Sequence, residues 1–314
     1  MPSTAGSARA DDRDAIRQAH ASERARAPGP AAWLLLAPLV AWVAAFVVAP
    51  AAIMLAYSFG RRGTLGGVVL DFTLDNYARA LGGTYLRILV RSVGYAALTT
   101  AICLVAGYPV AWTIGRASER WRNRLLVLVM IPFWTSFLIR TYAWVTILKS
   151  EGLLNALLLQ AGVTAAPLEM LYTPGAVVLG LVYTFLPFMV LPIYASVERL
   201  DRSLVEAAFD LGARPLAAFA RVVLPLTAPG VAGGVLLVFV PALGLYAVND
   251  ILGGGRVDMI GNVIENQFKG TARNWPFGAA LGTILLVLFA LAAWLTRAWT
   301  APDRARDRAP AVRA

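Results

Sequence analysis

The residue types that usually carry catalysis, redox chemistry or metal binding are scarce in this 314-residue sequence. It has one cysteine, Cys103, and one histidine, His20, so neither an internal disulfide nor a Cys/His metal cluster can form. Its two lysines, Lys149 and Lys269, do not follow a glycine-rich loop as Gly-Lys-Ser/Thr, which excludes a P-loop for ATP. The apolar runs hold no paired carboxylates and no Ser/His dyad. The sequence therefore predicts a protein that is not an enzyme and that needs no cofactor or metal.

One polar segment, residues 198–225, carries a clear pattern. Ser203 and Glu206 have the spacing of a capping box, in which the serine caps a helix and the glutamate reaches back to the cap's amide. The apolar residues that follow recur at i, i+3, i+4 and i+7, which predicts one face of a short helix: Leu204, Ala207, Ala208 and Leu211. Gly212 is placed to end this helix in a left-handed conformation, and Pro215 suits the first turn of a second short helix. Because alanines bury little area in lipid headgroups, the two angled helices are expected to dock into a partner protein.

Long apolar runs must position this segment. The composition, 59% hydrophobic and 15% charged with a mean hydropathy of +0.65, lies far from that of soluble proteins. Six runs, about half of the chain, each exceed the ~20 residues that cross a hydrocarbon core, and only Arg140 interrupts one of them. The first run is too long for a signal peptide and is expected to be an uncleaved span. We predict an all-α membrane protein with six transmembrane helices at about 33–57, 88–115, 125–148, 174–197, 226–249 and 276–299.

The distribution of charge predicts the orientation. Of the 28 basic residues, 18 lie in the two tails, the second loop and the fourth loop with 11 acidic residues, a net charge of +7. The other side has 10 basic and 7 acidic residues, a net charge of +3. The positive-inside rule therefore places both termini in the cytoplasm. The arginines that flank the spans explain the pI of about 10.2 without a nucleic-acid partner. Residues 1–30 and 301–314 are expected to be disordered cytoplasmic tails.

Several stretches resemble a known family. Glu206-Ala207-Ala208, followed by Gly212 and Leu224-Pro225, resembles the E-A-A loop of permease subunits of bacterial ABC importers. From about Trp33 to Trp299 the chain resembles one branch of that family, the first permease of the spermidine/putrescine importers. The matching stretches are Phe72-Thr73-Leu74-Asp75-Asn76-Tyr77, Gly107-Tyr108-Pro109, Pro132-Phe133-Trp134-Thr135, Ile139-Arg140, Gly180-Leu181-Val182-Tyr183, Leu186-Pro187-Phe188-Met189, Gly261-Asn262-Val263-Ile264 and Asn274 to Gly278.

The resemblance implies a fold, partners and a function. The fold is that of type I ABC importer permeases, six spans in the bacterial inner membrane with a cytoplasmic coupling loop at 198–225 between spans four and five. The implied partners are a second permease subunit in the bilayer, an ATPase dimer at the coupling loop and a periplasmic solute-binding protein. The function is import of polyamines, spermidine or putrescine, from periplasm to cytoplasm. The coupling residues carried over from the motif are Glu206, Ala207, Ala208 and Gly212.

A polyamine is a cation, so we expect carboxylates and aromatic faces along its path, where ion pairs and cation–π contacts bind ammonium groups. Asp250, at the outer end of span five, is the first candidate, together with its neighbours Tyr246 and Asn249. The next candidates are Tyr183 in span four and Trp134 in span three. Each has a simpler alternative, a solvated loop carboxylate or an aromatic residue at the membrane interface. Arg140 would repel a polyamine, so it is expected off the path, paired with a carboxylate or snorkelling outward.

Two other functions are compatible with the sequence. One is an ABC permease for a different small solute, such as an anion or iron, which uptake of labelled spermidine and putrescine would distinguish. The other is a stand-alone channel or secondary carrier, which would purify and conduct without an ATPase.

Overall fold

The computed structural model of the protein describes residues 30–63, 67–269 and 273–300. This part of the chain is almost entirely helical, which confirms the predicted all-α class. One small antiparallel hairpin pairs β1 (Arg61–Arg62) with β2 (Val68–Val69). His20 and the predicted tails, except Pro30, lie outside the described residues.

The helices are numbered here in chain order, and three shorter helical turns join some of them. The turns are two π-helical segments, Ala44–Val48 and Phe219–Val223, and a 3-10 turn, Ile131–Trp134. The helices are α1 (Pro30–Val43), α2 (Ala49–Ser58), α3 (Asp75–Ala80), α4 (Gly83–Arg116), α5 (Glu119–Met130), α6 (Phe137–Leu148), α7 (Leu153–Gln160), α8 (Pro174–Glu198), α9 (Arg202–Asp210), α10 (Pro215–Ala218), α11 (Leu224–Gly244), α12 (Tyr246–Gly253), α13 (Ile260–Lys269) and α14 (Trp275–Thr300).

Within the described residues, five helical stretches are long and apolar enough to cross a membrane, and a sixth is formed if one bent pair counts as a single span. The five are Leu36–Ser58, Gly83–Arg116, Pro174–Glu198, Pro215–Gly244 and Trp275–Trp299. The bent pair is Glu119–Trp134 with Phe137–Gln160. These six stretches correspond to the six apolar runs of the sequence.

The chain divides into two compact units, one ending at Met54 and one starting at Leu55. In the first unit the helix is apolar on all sides, and its side chains from Leu36 to Val48 are exposed. A helix without a polar face suits hydrocarbon surroundings. The described part of the first unit is therefore a single lipid-compatible helical stretch.

Each π-helical segment is followed by one residue and then a proline. These two residues are Ala49-Pro50 after the first segment and Leu224-Pro225 after the second. In each, the amide of the first residue of the pair donates to a carbonyl five residues back, Ala49 to Ala44 and Leu224 to Phe219. Proline lacks an N–H, and its ring clashes with the carbonyl four residues earlier. The widened turn moves that carbonyl away from the ring, so each helical stretch, Leu36–Ser58 and Pro215–Gly244, continues past its proline.

The core of the second unit lies where α4, α8 and α11 pack together. Leu181, Met189 and Ile193 of α8 are fully buried there. The approach of α11 to α8 is close: a Cβ atom at Gly230 would lie 2.3 Å from the Ser196 Oγ atom. Only glycine allows these backbones to come so near each other.

The predicted third span, 125–148, is not one straight helix. Glu119–Trp134 and Phe137–Gln160 meet at an angle of 87°, and Thr135 and Ser136 between them have non-helical backbone. The Thr135 hydroxyl donates to the carbonyl of Pro132 at 2.8 Å. Proline in the preceding turn and a hydroxyl that competes for backbone carbonyls explain the break.

The helix that covers most of the predicted fifth span, 226–249, differs from it at both ends. The helical stretch begins earlier, at Pro215, and ends at Gly244, because Leu245 is extended and α12 starts at Tyr246. At the break, Gly261 of α13 packs against the carbonyl of Gly244, where a Cβ atom would lie 2.7 Å from the oxygen. A neighbouring helix therefore occupies the space that a longer span would need.

Candidate functional site

The predicted capping box at Ser203 is wrong by two residues. The N-cap of α9 is Asp201, whose carboxylate accepts the amide hydrogen of Ser203 at 3.0 Å. This hydrogen bond lowers the pKa of Asp201 below its ordinary value. Glu206 is consequently not a partner of the cap, and its exposed carboxylate has no hydrogen bond or ion pair within the described part of the chain.

The end of α9 is as predicted. Gly212 has a left-handed backbone, φ +82°. Its amide donates to the Phe209 carbonyl at 2.8 Å, and the Ala213 amide donates to the Ala208 carbonyl at 3.0 Å. These two bonds form a complete Schellman motif. The motif turns the chain sharply after α9 and fixes the angle between α9 and the helix that follows.

The predicted apolar face of α9 is exposed. Leu204 and Leu211 are 46% and 89% exposed, and Ala207 between them is exposed as well. Val205, on another side of the helix, is buried and packs α9 against the rest of the protein. α9 therefore has an exposed leucine face and, on another side, a buried residue that packs it against the protein. Such a helix suits docking to another protein.

The predicted second short helix is not separate. α10 continues through the π-helical segment into α11, so Pro215–Gly244 is one helical stretch. In that segment, Phe219 packs edge-on against the Tyr108 ring, with ring centroids 5.2 Å apart. Tyr108 in turn shares a 2.9 Å hydrogen bond between its hydroxyl and that of Thr227. We call residues 202–218 the α9–α10 segment. Through Phe219, which follows it directly, this segment is joined to the core helices α4 and α11.

At the opposite end of the helices, a polar cluster brings together three of the predicted pathway residues. Asn249 is buried and donates to the Val257 carbonyl and to the Asn262 side-chain oxygen, both at 2.6 Å. Asn262 donates its own amide hydrogens to the Asp250 carboxylate and to the Tyr246 carbonyl. We call this group the Asp250 cluster; its members are Tyr246, Asn249, Asp250, Asn262, Glu265 and Lys269.

Burial and three neighbouring side chains affect the pKa of the Asp250 carboxylate. The pKa of Asp250 is raised above its ordinary value, mainly by desolvation and to a smaller extent by the negative charge of Glu265. The hydrogen bond from Asn262 and the positive charge of Lys269 lower this pKa. Lys269 pairs with Glu265 at 3.2 Å. The cluster therefore holds two carboxylates and one ammonium group, a formal excess of one negative charge.

The Tyr246 ring already has a cation over it. The Lys269 ammonium lies 5.2 Å from the ring centroid and 3.5 Å from the phenol oxygen. Hydrogen bonds to Glu265 and Tyr246 raise the pKa of Lys269. The cluster thus holds a primary ammonium by the two contacts that were expected for a polyamine, an ion pair and an aromatic face.

Asp250 also lines an open cleft of about 600 Å³. Two tyrosines missed by the sequence analysis, Tyr142 of α6 and Tyr172 before α8, line it as well, together with Arg256. Tyr172 has φ +62°, and its ring lies against Gly254, where a Cβ atom would be 2.2 Å from the Tyr172 Cδ1 atom. No pattern in the sequence marks such a tyrosine, because its position depends on a contact between distant segments.

Tyr183 and Trp134 do not line the cleft that contains Asp250. The Tyr183 ring is covered by the Arg140 guanidinium, 5.8 Å from its centroid, and by the Trp144 ring. Trp134 ends the 3-10 turn at the break of the third span and is 81% exposed. These two candidates therefore belong to a different region from the Asp250 cluster.

Comparison with known proteins identifies the family. The family described as "Binding-protein-dependent transport system inner membrane component" matches residues 107–301. The chain belongs to this family. The matched part of this transport permease includes the α9–α10 segment, the Asp250 cluster and four of the helical stretches described above, counting the bent pair as one.

Relatives of this permease agree over most of its length. It is 45% identical over 258 residues to the spermidine/putrescine transport system permease protein PotB of Salmonella typhimurium (strain SL1344), covering 82% of this chain and 90% of that one. It is 44% identical over 257 residues to PotB of Escherichia coli K12, covering 82% and 93%. A crystal structure of a bacterial alginate ABC transporter, in complex with an alginate-bound periplasmic protein, shares its fold with a TM-score of 0.67 at 17% identity, covering 85% and 94%. The predicted ABC permease fold is confirmed.

Proposed function

We propose that this protein is the transmembrane permease subunit of an ATP-driven importer that moves polyamines, spermidine or putrescine, from the periplasm to the cytoplasm. The observation that carries the proposal is the 45% identity to a spermidine/putrescine permease across 82% of the chain. The cation-holding Asp250 cluster supports the same substrate class.

The proposed assembly has four kinds of component. This permease pairs with a second permease subunit, an ATPase dimer binds the α9–α10 segment, and a periplasmic solute-binding protein delivers the polyamine. A binding protein is part of the family's description, and a periplasmic protein is bound in the alginate transporter. With both termini in the cytoplasm, as the arginine distribution favours, α9 faces the ATPase and the Asp250 cluster faces the periplasm.

At the cytoplasmic end, α9 is suited to receive motion rather than to do chemistry. Leu204 and Leu211 would be buried in a groove of the ATPase, while Ala207 and Ala208 allow close approach and Glu206 offers a charge. Gly212 sets the angle of α9. Because α10 is continuous with α11, a displacement of the docked segment moves the fifth helical stretch with it. ATP is bound and hydrolysed by the partner.

At the periplasmic end, the Asp250 cluster is suited to receive an ammonium group. Asp250 faces the open cleft, Asn262 orients its carboxylate, and Tyr246 supplies an aromatic face. A second ammonium of the same polyamine can reach Glu265 or the tyrosines of the cleft. Membrane potential favours inward movement by about 2.3 kcal/mol per charge per 100 mV, so ATP serves mainly accumulation and gating.

The decisive experiment is uptake by the complete importer. The chain is purified with its second permease and ATPase, reconstituted into lipid vesicles and supplied with the binding protein and labelled spermidine or putrescine. We expect uptake that requires ATP and the binding protein and that unlabelled polyamine inhibits. Uptake of a different solute instead would contradict the substrate, and conduction by the chain alone would contradict the role as an importer subunit.

A further inference from the structure

Arg140 is a half-buried cation, and two of its nitrogen atoms lack an acceptor within the described residues. Its guanidinium lies between the Phe133 ring, at 5.2 Å from the centroid, and the Tyr183 ring, at 5.8 Å. The Nε and Nη1 atoms are buried and have no hydrogen-bond partner among the described residues. Leaving a buried charge without a counter-charge is strongly unfavourable, so the functional protein is expected to supply one.

Among the described residues, no carboxylate forms an ion pair with Arg140. Tyr183 and Phe188, which packs on Phe133 at 5.2 Å, lie in the middle of the 25-residue helix α8. The carboxylates of the six spanning stretches stand at the ends of helices, at Glu119, Glu151 and Glu198. Glu198 is already paired with Arg122 at 2.7 Å. Within the described part of the chain, the counter-charge of Arg140 is therefore missing, and a partner protein can supply it.

The break in the third span indicates what kind of molecule covers this region. Thr135 and Ser136 are non-helical and exposed close to Arg140 in the sequence, and Ser136 makes no side-chain cap at the start of α6. In the hydrocarbon core, irregular backbone occurs only where protein or a water-filled cavity covers it. The α6 N-terminus adds a partial positive charge beside Arg140. A lipid tail satisfies neither the backbone nor the cation, and a phosphate headgroup lies too far toward the surface.

We propose that a carboxylate of the second permease subunit binds Arg140 at the middle of the membrane, and that the broken third span is part of the interface between the two permeases. The inference rests on the proposed function, because it requires a second permease. The imported polyamine is itself a cation and cannot be the partner. The exposed side chains around the break, Trp134, Leu138 and Ile139, supply the apolar border of this contact.

The test compares recovery of the second permease with three variants of this chain. Each variant is co-expressed with an affinity-tagged second permease, and the amount of this chain recovered per tag is measured. We expect Arg140→Glu to lower recovery by about tenfold or more, because like charges then meet at a buried site, and Arg140→Met to lower it by less. Arg120→Gln, which changes an exposed arginine in the first turn of α5, is the matched control and is expected to recover like wild type.

A second measurement separates a lost contact from a misfolded chain. Because Arg140 is uncompensated in the lone subunit, Arg140→Met is expected to keep or raise the thermal unfolding temperature of the chain purified alone. An acidic-to-basic change in a span of the second permease is expected to restore assembly with Arg140→Glu. Recovery of Arg140→Glu at the wild-type level, or a fall in lone-chain stability for Arg140→Met, overturns the inference. Failure of wild type to recover the second permease contradicts the proposed function instead.

Discussion

The two ends of the helical bundle are built on opposite principles. The α9–α10 segment presents exposed leucines and alanines and is tied to the bundle by a few contacts such as Val205 and Phe219. In the Asp250 cluster, hydrogen bonds join the buried Asn249 to Asn262 and join Asn262 to the exposed Asp250. In the proposed function, the first end is covered by the ATPase, whereas the second receives a small charged ligand. Mutations at the two ends should therefore differ in what they affect.

The largest effect is expected from Gly212→Pro. Proline cannot adopt φ +82° and has no amide hydrogen for the Phe209 carbonyl, so the turn that aims α9 is lost. ATP-driven uptake should fall to the level of vesicles without ATP, while the chain still inserts into the membrane. Gly162 ends α7 with the same motif at the other end of the bundle, φ +68°. Gly162→Pro is the matched control, and equal loss in both variants would argue against a special role for α9.

A charge on the exposed face of α9 should have the next largest effect. Leu211→Asp is expected to lower the amount of ATPase that purifies with the complex by about tenfold, because a leucine that binding buries contributes ~1.5–3 kcal/mol. The stability of the lone chain should not change, since Leu211 is 89% exposed. Leu153→Asp, at a 62% exposed leucine of α7, serves as the control. Undiminished ATPase recovery by Leu211→Asp would remove α9 from the interface.

At the other end, Asp250→Asn should reduce polyamine uptake at low concentration by about fivefold through loss of one ion pair. Desolvation raises the pKa of Asp250, so the wild-type carboxylate is neutralised at a higher pH than an ordinary aspartate. Wild-type uptake should therefore fall as pH decreases toward that raised pKa, and the variant should lack this decline.

The stability of the same variant should change in the opposite direction. A carboxylate whose pKa is raised on folding binds more protons in the folded state, so its contribution to stability is lost as pH rises through the raised pKa. Asp250→Asn removes that loss. The thermal unfolding temperature at neutral pH should equal or exceed that of wild type, and a clear decrease would mean that Asp250 is structural.

The smallest effect is expected from Lys269→Met. The Lys269–Glu265 pair is exposed on the lysine side, so its loss should change the free energy of unfolding by less than about 1 kcal/mol. With the ammonium gone, Tyr246 and Glu265 become available to substrate, and uptake at low polyamine concentration should rise by about twofold. Lys149→Met, at the only other lysine in the sequence, should have no such effect. A decrease in uptake would show that Lys269 helps rather than competes.

Hydropathy was enough to predict the class and the positions of the spanning stretches, because each apolar run is longer than a bilayer is thick. It could not predict where those stretches break. The helices are interrupted at Thr135-Ser136 and at Leu245. The causes are proline, a hydroxyl that competes for backbone carbonyls and a packed neighbouring helix, none of which changes the average hydropathy. The cap of α9 was misplaced for a related reason: Asp201 and Ser203 are both good caps, and local sequence does not choose between them.

The two candidate ends were predicted unequally well. Gly212 and the face of α9 follow from local spacing, which the sequence displays directly. Asp250, Tyr246 and Asn249 were found from their residue types, but the residue that connects them, Asn262, lies on another helix. Tyr142 and Tyr172 were missed because they reach the cleft from distant segments. A side chain whose partner is far away in sequence leaves no periodic signal.

The π-helical segment at Phe219–Val223 has a consequence for the direction in which α9 faces. A π-helical turn contains one residue more than an α-helical turn, and each residue of an α-helix rotates the chain by about 100°. If one residue of this segment were deleted, α10 and the attached α9 would turn by that angle about the helix axis while α11 and the core helices stayed in place. The leucine face would then point away from its present side with no change in its own sequence. Because this π-helical segment accommodates Pro225, the direction in which the proposed docking surface faces depends partly on Pro225, a residue that lies outside that surface.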